Sequence, residues 1–365
     1  MTECVPEQAH RQYRNPRVRG NEREDGVPGE QELKTHHSRF RYVLEWVVTL
    51  DTAVPDAVNY RSMPRVSNYV FFLGGRLRTV SNTSAHSVLV LTLLVVPAVL
   101  FSIFEAQMLW KFGSGHGTLV VLFYYSWAVC LASFIRSATS DPGVLPRNLH
   151  VPTVCNDFEL PREYYNMITL PSAHPEGRTV NLKYCTTCRI WRPPRASHCP
   201  SCDACVMTHD HHCIWINNCV GQRNYRYFLT FLTSSVVSAI LCIIGCAIHV
   251  SKVSHLRSTV VAILLIVYCV LIMCYPLILL LFHIFATSSQ QTTHEFLRNL
   301  TSKKAILHSF SSSRTNPFDR GSRARNMLSL ACQPRGVSVM SAREKHPTGD
   351  WRFLNLPQQH SFEKI

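Results

Sequence analysis

The 365-residue chain is short of charge, because Asp, Glu, Lys and Arg make up only 16% of it, against about 25% in an ordinary soluble domain. Acidic residues are the scarcer kind, with 23 Asp and Glu against 37 Lys and Arg and a net charge of +14. The chain also lacks internal repeats and a Walker-type phosphate loop, which excludes a repeat fold and a P-loop nucleotide enzyme. No apolar segment typical of a cleavable signal peptide follows Met1.

Long hydrophobic runs account for the missing charge. They cover about residues 87–105, 117–135, 229–250 and 259–285. Each reaches the 18 to 20 residues that a helix needs to cross a bilayer. Pro97 lies inside the first run and is expected to kink that helix, with neighbouring helices bonding the freed backbone. The sequence therefore predicts an all-α integral membrane protein with four transmembrane helices.

A cysteine-rich stretch separates the second run from the third. Residues 185–219 hold seven of the chain's 15 cysteines and four histidines. In the C-x-x-C pairs Cys185/Cys188 and Cys199/Cys202, two thiolates from one tight turn can bind the same tetrahedral ion. Further ligands are available from His198, Cys205, His212 and Cys219. Eight ligands satisfy two zinc ions, and one cysteine is left over.

Cys213 is the best candidate for the extra cysteine because it follows Asp210-His211-His212. A thiol beside an imidazole, itself beside a carboxylate, has the parts of an activated nucleophile. Spacing alone does not identify the extra cysteine, so a structural zinc module in which Cys213 is an inert buried thiol stays an alternative. Disulfides are disfavoured, because seven cysteines cannot all pair with each other.

In this pattern the Asp-His-His-Cys run resembles the DHHC protein S-acyltransferases, or palmitoyltransferases. The match is specific over roughly 50 residues and also includes Pro194, Trp215, Asn218, Val220, Gly221 and Asn224. Three short family motifs are matched elsewhere, at Asp141-Pro142-Gly143, Thr292-Thr293-His294-Glu295 and Asn316-Pro317-Phe318. Taken without the resemblance, these segments indicate a turn, a helix cap and another turn.

The resemblance implies that Cys213 takes a long-chain acyl group from palmitoyl-coenzyme A and passes it to a substrate cysteine. His211 would be the general base, Asp210 would orient it, and Thr293 would contact this region. The family pattern assigns four ligands to each of two structural zinc ions: Cys185, Cys188, His198 and Cys205 to one, and Cys199, Cys202, His212 and Cys219 to the other. His209 has no assigned role and is expected to be solvated or to lie behind a ligand.

Three arginines lie between the first ligand pair and His198, namely Arg189, Arg192 and Arg195. They form either a solvated or lipid-facing cationic loop or a site that attracts the phosphates of coenzyme A.

Basic residues near the spans predict the orientation. Arg76, Arg78, Arg136, Arg223, Arg226 and Arg298 would lie on one side, and Lys111, Lys252 and Arg257 on the other. The positive-inside rule then places both termini and the 136–228 loop in the cytosol. A reducing compartment also disfavours disulfides. The excess positive charge is interpreted as a membrane-surface feature, and no nucleic-acid partner is expected.

These features divide the chain into five parts. Residues 1–66 are expected to be a disordered cytosolic region, and 67–135 a juxtamembrane segment with helices 1 and 2. Residues 136–228 form a cytosolic loop with the double zinc domain at 183–228, and residues 229–286 contain helices 3 and 4. Residues 287–365 form a cytosolic tail, which is polar and expected to be disordered beyond Arg323.

A further resemblance concerns the segment Phe72-Leu73-Gly74-Gly75-Arg76. It is similar to a segment in one branch of the family, which includes the yeast Ras palmitoyltransferase. That branch implies Ras-like GTPases with membrane-proximal cysteines as substrates, a small accessory subunit, and the endoplasmic reticulum or Golgi membrane. The competing class is a non-catalytic zinc-binding membrane scaffold or a ring-finger-like ubiquitin ligase, neither of which needs a thiol at position 213.

Overall fold

The computed structural model describes residues 48–49, 68–73, 77–81, 85–145, 168–171, 179–253, 255–301, 316–332 and 338. Four long helices dominate it: α1 His86–Lys111, α2 Ser114–Thr139, α3 Tyr225–Lys252 and α4 Leu256–Ser288. By length and composition, all four can cross a membrane. This confirms the prediction of four spans, each extended by a few residues because the helices continue into their more polar flanks.

Helix α1 has a π-helical stretch at Phe101–Ala106, a few residues after Pro97. Because Pro97 has no N–H, the carbonyl of Leu93 loses its bond within the helix. The hydroxyl of Tyr268 in α4 donates to that carbonyl at 2.6 Å. Trp127 in α2 donates its indole N–H to the neighbouring Leu94 carbonyl at 3.0 Å. Neighbouring helices thus supply the bonds, as the sequence predicted for Pro97.

A fully buried polar pair lies at the end of the bundle where α1 and α3 terminate. His249 in α3 contacts the Glu105 carboxylate in the π-helical stretch, with Nδ1 2.7 Å from Oε2. Packing around this pair is tight, since a Cβ added at Gly245 would come within 3.1 Å of Leu109 and 3.3 Å of Phe101. The glycine therefore permits close approach of α3 to α1.

Short antiparallel strands make up the rest of the fold. One sheet has the order β1 Val48–Thr49, β2 Tyr69–Phe72 and β3 Leu77–Val80, and a separate hairpin pairs β4 Ile168–Pro171 with β5 Thr179–Leu182. Three more hairpins form the cysteine-rich domain: β6 Tyr184–Cys185 with β7 Ile190–Trp191, β8 Ser197–Cys199 with β9 Ala204–Val206, and β10 His211–Cys213 with β11 Asn218–Val220. The membrane part is thus all-α, as predicted, and the domain between α2 and α3 is built of hairpins.

Segments from three parts of the chain meet on one side of the bundle. The amide of Asn217, in the α2–α3 connection, donates to the carbonyl of Val80 ahead of α1 at 2.9 Å. Thr293, which follows α4, donates through its backbone N–H to Asp210 at 2.8 Å. An even number of spans makes these contacts possible, because both ends of the bundle then emerge on the side of the α2–α3 connection.

The C-terminal part contains α5 Thr293–Thr301 and α6 Arg323–Cys332. The expectation of disorder beyond Arg323 is therefore wrong for residues 323–332. Asn326 is the physical reason, because its amide donates to the Ser288 carbonyl at the end of α4 and to Asp319, at 2.8 and 2.9 Å. Apart from Val48–Thr49, the proposed disordered region 1–66 lies outside the described residues, and the five-part division stays a prediction.

We expect Tyr268→Phe to lower the melting temperature in detergent, because the Leu93 carbonyl loses its donor at a cost of about 1 kcal/mol. Pro97→Ala restores a backbone N–H that can bond Leu93 within the helix. The same tyrosine change should then cost less in the Pro97→Ala background, as measured by thermal unfolding of all four proteins. Equal shifts in both backgrounds would contradict this account.

Candidate active site and metal centres

The β10–β11 hairpin positions the Asp-His-His-Cys run. His211, His212 and Cys213 occupy consecutive positions in β10, opposite Val220, Cys219 and Asn218 respectively. Successive side chains of a strand point to opposite faces. His211 and Cys213 therefore share one face, while His212 points to the other face together with its cross-strand partner Cys219.

On the first face, Asp210 holds the imidazole of His211. The Asp210 Oδ2 lies 2.7 Å from His211 Nδ1. Thr293 binds the same carboxylate twice, through its backbone N–H to Oδ1 at 2.8 Å and its hydroxyl to Oδ2 at 2.7 Å. Asp210 is only 2% exposed, so these bonds replace the water that its charge would otherwise require. Thr293 contacts the site, as the family motif implied.

Electrostatics adapt this pair to proton transfer. Burial by itself would raise the pKa of Asp210, but the hydrogen bond and charge of His211 outweigh it and lower the pKa to about 2. Burial would likewise lower the pKa of His211, yet the hydrogen bonds and charges of Asp210 and of the Cys213 sulfur raise it to about 10. His211 is therefore a strong proton acceptor next to Cys213.

The thiol of Cys213 lies in an apolar cluster at the end of the bundle. It is 6% exposed and packs with Phe134 and Ala138 of α2 and with Phe228 and Leu232 of α3. The nucleophile candidate is therefore placed where the zinc domain meets the ends of two membrane helices.

The eight predicted metal ligands come together as two separate groups of four, each with its donor atoms within 4.8 Å of one another. His198 Nδ1 lies 3.4 Å from Cys188 Sγ and 3.9 Å from Cys205 Sγ. His212 Nδ1 lies 3.4 to 3.7 Å from the sulfurs of Cys202, Cys199 and Cys219. Ligands of one tetrahedral zinc lie about 3.5 to 3.8 Å apart at normal bond lengths. Both groups fit zinc.

Strand alternation also explains why the two groups interleave. In β8, His198 faces Cys205 across the hairpin, while the next residue, Cys199, points to the other group. None of the described cysteines forms a disulfide, and the Cys202 and Cys219 sulfurs are 3.4 Å apart, well beyond the 2.05 Å of an S–S bond. The β8–β9 hairpin thus contributes to both metal groups, and each flanking hairpin contributes to one of them. This shared hairpin braces the domain as one unit.

The Asp141-Pro142-Gly143 motif is a fixed turn under this domain. Asp141 Oδ1 accepts from the backbone N–H groups of Gly143 and Val144 at 2.9 and 3.0 Å. Burial would raise the pKa of Asp141, but the charge of Arg78 and these bonds lower it. The turn packs closely on the zinc domain, since a Cβ added at Gly221 would come within 2.6 Å of the Pro142 carbonyl oxygen.

Two buried asparagines attach the β10–β11 hairpin to α2. The amide of Asn218 donates to the carbonyls of Ser137, Ala138 and Ser140 at 2.9 to 3.2 Å. Asn224 donates to the Ser137 and Cys219 carbonyls at 3.2 and 2.8 Å. The last carbonyls of a helix lack partners within it. By donating hydrogen bonds to these carbonyls, the asparagines hold the hairpin at the end of the membrane helix.

The Thr292–Glu295 motif has two functions in the structure. Thr292 and Glu295 form a reciprocal capping box at the start of α5, with bonds of 2.9 and 3.1 Å. Glu295 also receives a bidentate ion pair from Arg195, at 2.9 and 2.8 Å. The Arg195 guanidinium in turn lies 4.6 Å from the ring centre of Phe318. Arg195 thus connects the zinc domain with both C-terminal motifs.

The remaining predicted residues are placed as follows. Arg192 donates to the Lys183 carbonyl at 3.4 Å, and Arg189 has a positive φ of 55°. A cavity of about 390 Å³ beside Asp210 is lined by Arg195, but not by Arg189 or Arg192. The coenzyme A role of all three arginines stays a prediction. His209 is buried with its ring edge-on to His294 at 5.6 Å. Of the two positions expected for it, the solvated one is therefore wrong, and a position behind a metal ligand stays a prediction.

Sequence reasoning missed one group near the hydrogen-bonded pair of Asp210 and His211. His283 of α4 contributes a nitrogen within 4.8 Å of donor atoms of Asp210 and His211. Its ring is 1% exposed. A histidine inside an apolar span is costly to bury and therefore indicates a functional position. That signal was present in the sequence, but only folding shows that the residue faces His211.

Together, four membrane-spanning helices, two tetrahedral Cys/His groups and a thiol beside an Asp-His pair define the class. This is a membrane-embedded, zinc-binding protein S-acyltransferase.

Comparison with known proteins identifies the family. The model of the DHHC palmitoyltransferase family matches residues 178–300. The chain is 48% identical to "Palmitoyltransferase ERF2" of Eremothecium gossypii over 359 residues, covering 98% of this chain and 97% of that protein. It is 51% identical to the protein of the same name from Saccharomyces cerevisiae over 323 residues, covering 88% of this chain and 90% of that protein. The chain belongs to the DHHC palmitoyltransferase family.

We expect two zinc ions per chain and a loss of both when Cys188 is changed to Ser. The β8–β9 hairpin explains this, because it carries ligands of both ions and loses its anchoring when one ion is released. Metal content of the purified protein, measured by mass spectrometry, checks the prediction. Cys274→Ser is the matched control, since Cys274 is an exposed thiol of α4 and its loss should leave two ions. Retention of one full zinc in Cys188→Ser would show that the groups are independent.

We expect Glu295→Gln to destabilise the protein by about 2 kcal/mol, because the charged partner of Arg195 is removed. The melting temperature should fall, while the KM for palmitoyl-coenzyme A should stay within twofold of wild type. Arg195→Gln should behave in the same way. A higher KM in Arg195→Gln alone would instead assign Arg195 to coenzyme A.

Proposed function

We propose that this palmitoyltransferase works through an acyl-Cys213 intermediate, which it forms from palmitoyl-coenzyme A and passes to substrate cysteines. One observation carries the proposal: His211 and Cys213 lie on one face of a zinc-braced hairpin at the end of the membrane helices, and Asp210 is bonded to His211. Zinc has a structural role here, since four protein ligands leave no open coordination position.

In the first step the Cys213 thiol gives its proton to His211, and the thiolate attacks the thioester carbon of palmitoyl-coenzyme A. The new carbon–sulfur bond forms to Cys213 as the bond to coenzyme A breaks. The coenzyme A thiolate takes the proton from His211 and leaves as a thiol. Asp210 stabilises the imidazolium and keeps Nδ1 bonded, so that Nε2 remains the nitrogen that exchanges the proton.

In the second step the thiol of a substrate cysteine gives its proton to His211 and attacks the acyl carbon on Cys213. The Cys213 thiolate is the leaving group and recovers the proton. Each step exchanges one thioester for another, so the transfer needs no ATP.

The position of Cys213 suits a lipid-bound substrate. Exposing a fatty acyl chain to water costs about 0.8 kcal/mol of free energy for every methylene. The chain therefore has to stay among apolar groups while its thioester is attacked. Cys213 belongs to the same apolar cluster as Phe134 of α2 and Phe228 of α3, so the reactive carbon can meet the thiol while the chain remains in the membrane.

Of the three arginines at positions 189, 192 and 195, Arg189 and Arg192 are proposed to attract the phosphates of coenzyme A. Support comes from their charge and from their place in the zinc domain between two ligands. Since Arg195 is already paired with Glu295, Arg189 and Arg192 are the stronger candidates.

Orientation, location and partners belong to the same proposal. The arginines near the spans favour a cytosolic zinc domain and cytosolic termini, and the bundle brings the flanking segments to one side. The segment at 72–76 resembles the Ras-acylating branch of the family. It supports Ras-like GTPases as substrates, a small accessory subunit, and the endoplasmic reticulum or Golgi membrane.

The test is detection of the thioester in purified protein. Wild type and Cys213→Ser, each in detergent, receive alkyne-tagged palmitoyl-coenzyme A, and half of each sample is treated with hydroxylamine. We expect a hydroxylamine-labile label on wild type and none on the variant. His211→Ala should form the label at least 100-fold more slowly, because it lacks the base.

Two other outcomes would count against the proposal. Label on both wild type and Cys213→Ser would place the acyl group on a different cysteine. An unlabelled wild type, with its full zinc content and a candidate accessory subunit added, would favour the non-catalytic zinc scaffold.

A further inference from the structure

A buried histidine on α4 lies behind Asp210 and His211, and it has no part in the mechanism above. His283 is 1% exposed and points into the bundle two turns before the capping box of α5. Its neighbours include aromatic rings, hydroxyl groups and the Asp210 carboxylate. Such a side chain inside a membrane helix needs a partner for its polar atoms.

Tyr225, the first residue of α3, supplies one partner. Its hydroxyl lies 2.9 Å from His283 Nδ1 and 3.2 Å from the hydroxyl of Thr287, one turn along α4. The Tyr225 backbone N–H donates to the Gly221 carbonyl at 3.0 Å. Tyr225 therefore links the orientation of the His283 ring to the end of the zinc domain.

The other side of His283 faces the imidazole of His211. Its ring centre is 5.9 Å from that of His211, and the two planes differ by 35°. Phe228 makes edge contacts with both rings, at 5.5 Å to His211 and 5.2 Å to His283. The imidazole of His211 is thus enclosed by Asp210 at Nδ1 and by two rings on its membrane side.

A third metal site is the competing interpretation of Asp210, His211 and His283. The hydrogen bonds argue against it. Both Asp210 oxygens are occupied by Thr293 and His211, and His283 Nδ1 is occupied by Tyr225. The 2.7 Å between His211 Nδ1 and Asp210 Oδ2 is a hydrogen-bond distance. These residues form a hydrogen-bonded assembly.

We propose that His283, held in place by Tyr225, is a positioning residue that keeps the His211 imidazole directed at Cys213. Asp210 fixes one atom of the His211 ring but leaves the ring free to swing about that bond. Contact with His283 and Phe228 restricts the swing, so that Nε2 stays within reach of the thiol. A misplacement of about 1 Å can cost about 100-fold in rate. This inference rests on the proposed function, in which His211 moves the proton.

The test measures single-turnover formation of the Cys213 thioester over a range of palmitoyl-coenzyme A concentrations. Tyr225→Phe removes one oxygen and keeps the ring, whereas His283→Leu removes the imidazole. We expect the maximal rate to fall about 10-fold in Tyr225→Phe and about 100-fold in His283→Leu. The half-saturating concentration should stay within twofold, and each variant should keep two zinc ions.

The double variant separates positioning from independent contributions. If Tyr225 acts only through His283, the double variant should be no slower than His283→Leu alone. Tyr227→Phe is the matched control, because Tyr227 lies two residues away and contacts Arg136. Its maximal rate should equal that of wild type.

Several results would overturn the inference. These are wild-type rates in both single variants, losses that multiply in the double variant, a defect confined to the half-saturating concentration, or a rate loss that accompanies zinc loss. An active wild type with unaffected variants would overturn the inference alone. A wild type that forms no thioester at Cys213 would overturn it together with the proposed function.

Discussion

The alternation of side chains along a strand is the constraint on which the site depends. In β10, three consecutive residues have to serve two purposes, and the two faces of the strand separate them. His212 points to the metal group, while His211 and Cys213 point together to the opposite face. The predicted zinc ligand between them thereby fixes the strand that carries the proposed base and the proposed nucleophile. A helix would place these neighbours about 100° apart and would not give this separation.

Buried charge explains why distant segments assemble around that hairpin. Asp210 is nearly inaccessible to water, and its oxygens are bonded by His211 and by Thr293, which follows α4. Arg195 in the zinc domain is paired with Glu295 of the same C-terminal motif. An unpaired charge at either position would be costly. The motif after the last span therefore completes the site electrostatically, although it is about 80 residues away in sequence.

The membrane sets the position of the whole unit. Asn218 and Asn224 bind the last carbonyls of α2, and α3 begins at Tyr225, directly after the zinc domain. The thiol is consequently held among apolar side chains at the bundle end. Acyl transfer between a lipid-borne chain and a protein cysteine requires such a boundary position, because the chain is stable in one medium and the accepting cysteine lies in the other.

The sequence by itself determines the membrane spans and indicates the metal ligands of this protein. Apolar run lengths determine four spans, since a helix must satisfy its own backbone across about 30 Å of hydrocarbon. The spacing of cysteines and histidines indicates two zinc ions, because ligands from one turn can reach one metal. The tertiary structure alone decides which side chains from distant segments meet. It pairs Arg195 with Glu295, places His283 against His211, and orders residues 323–332 through Asn326. These contacts depend on the packing of whole helices, which local residue patterns do not encode.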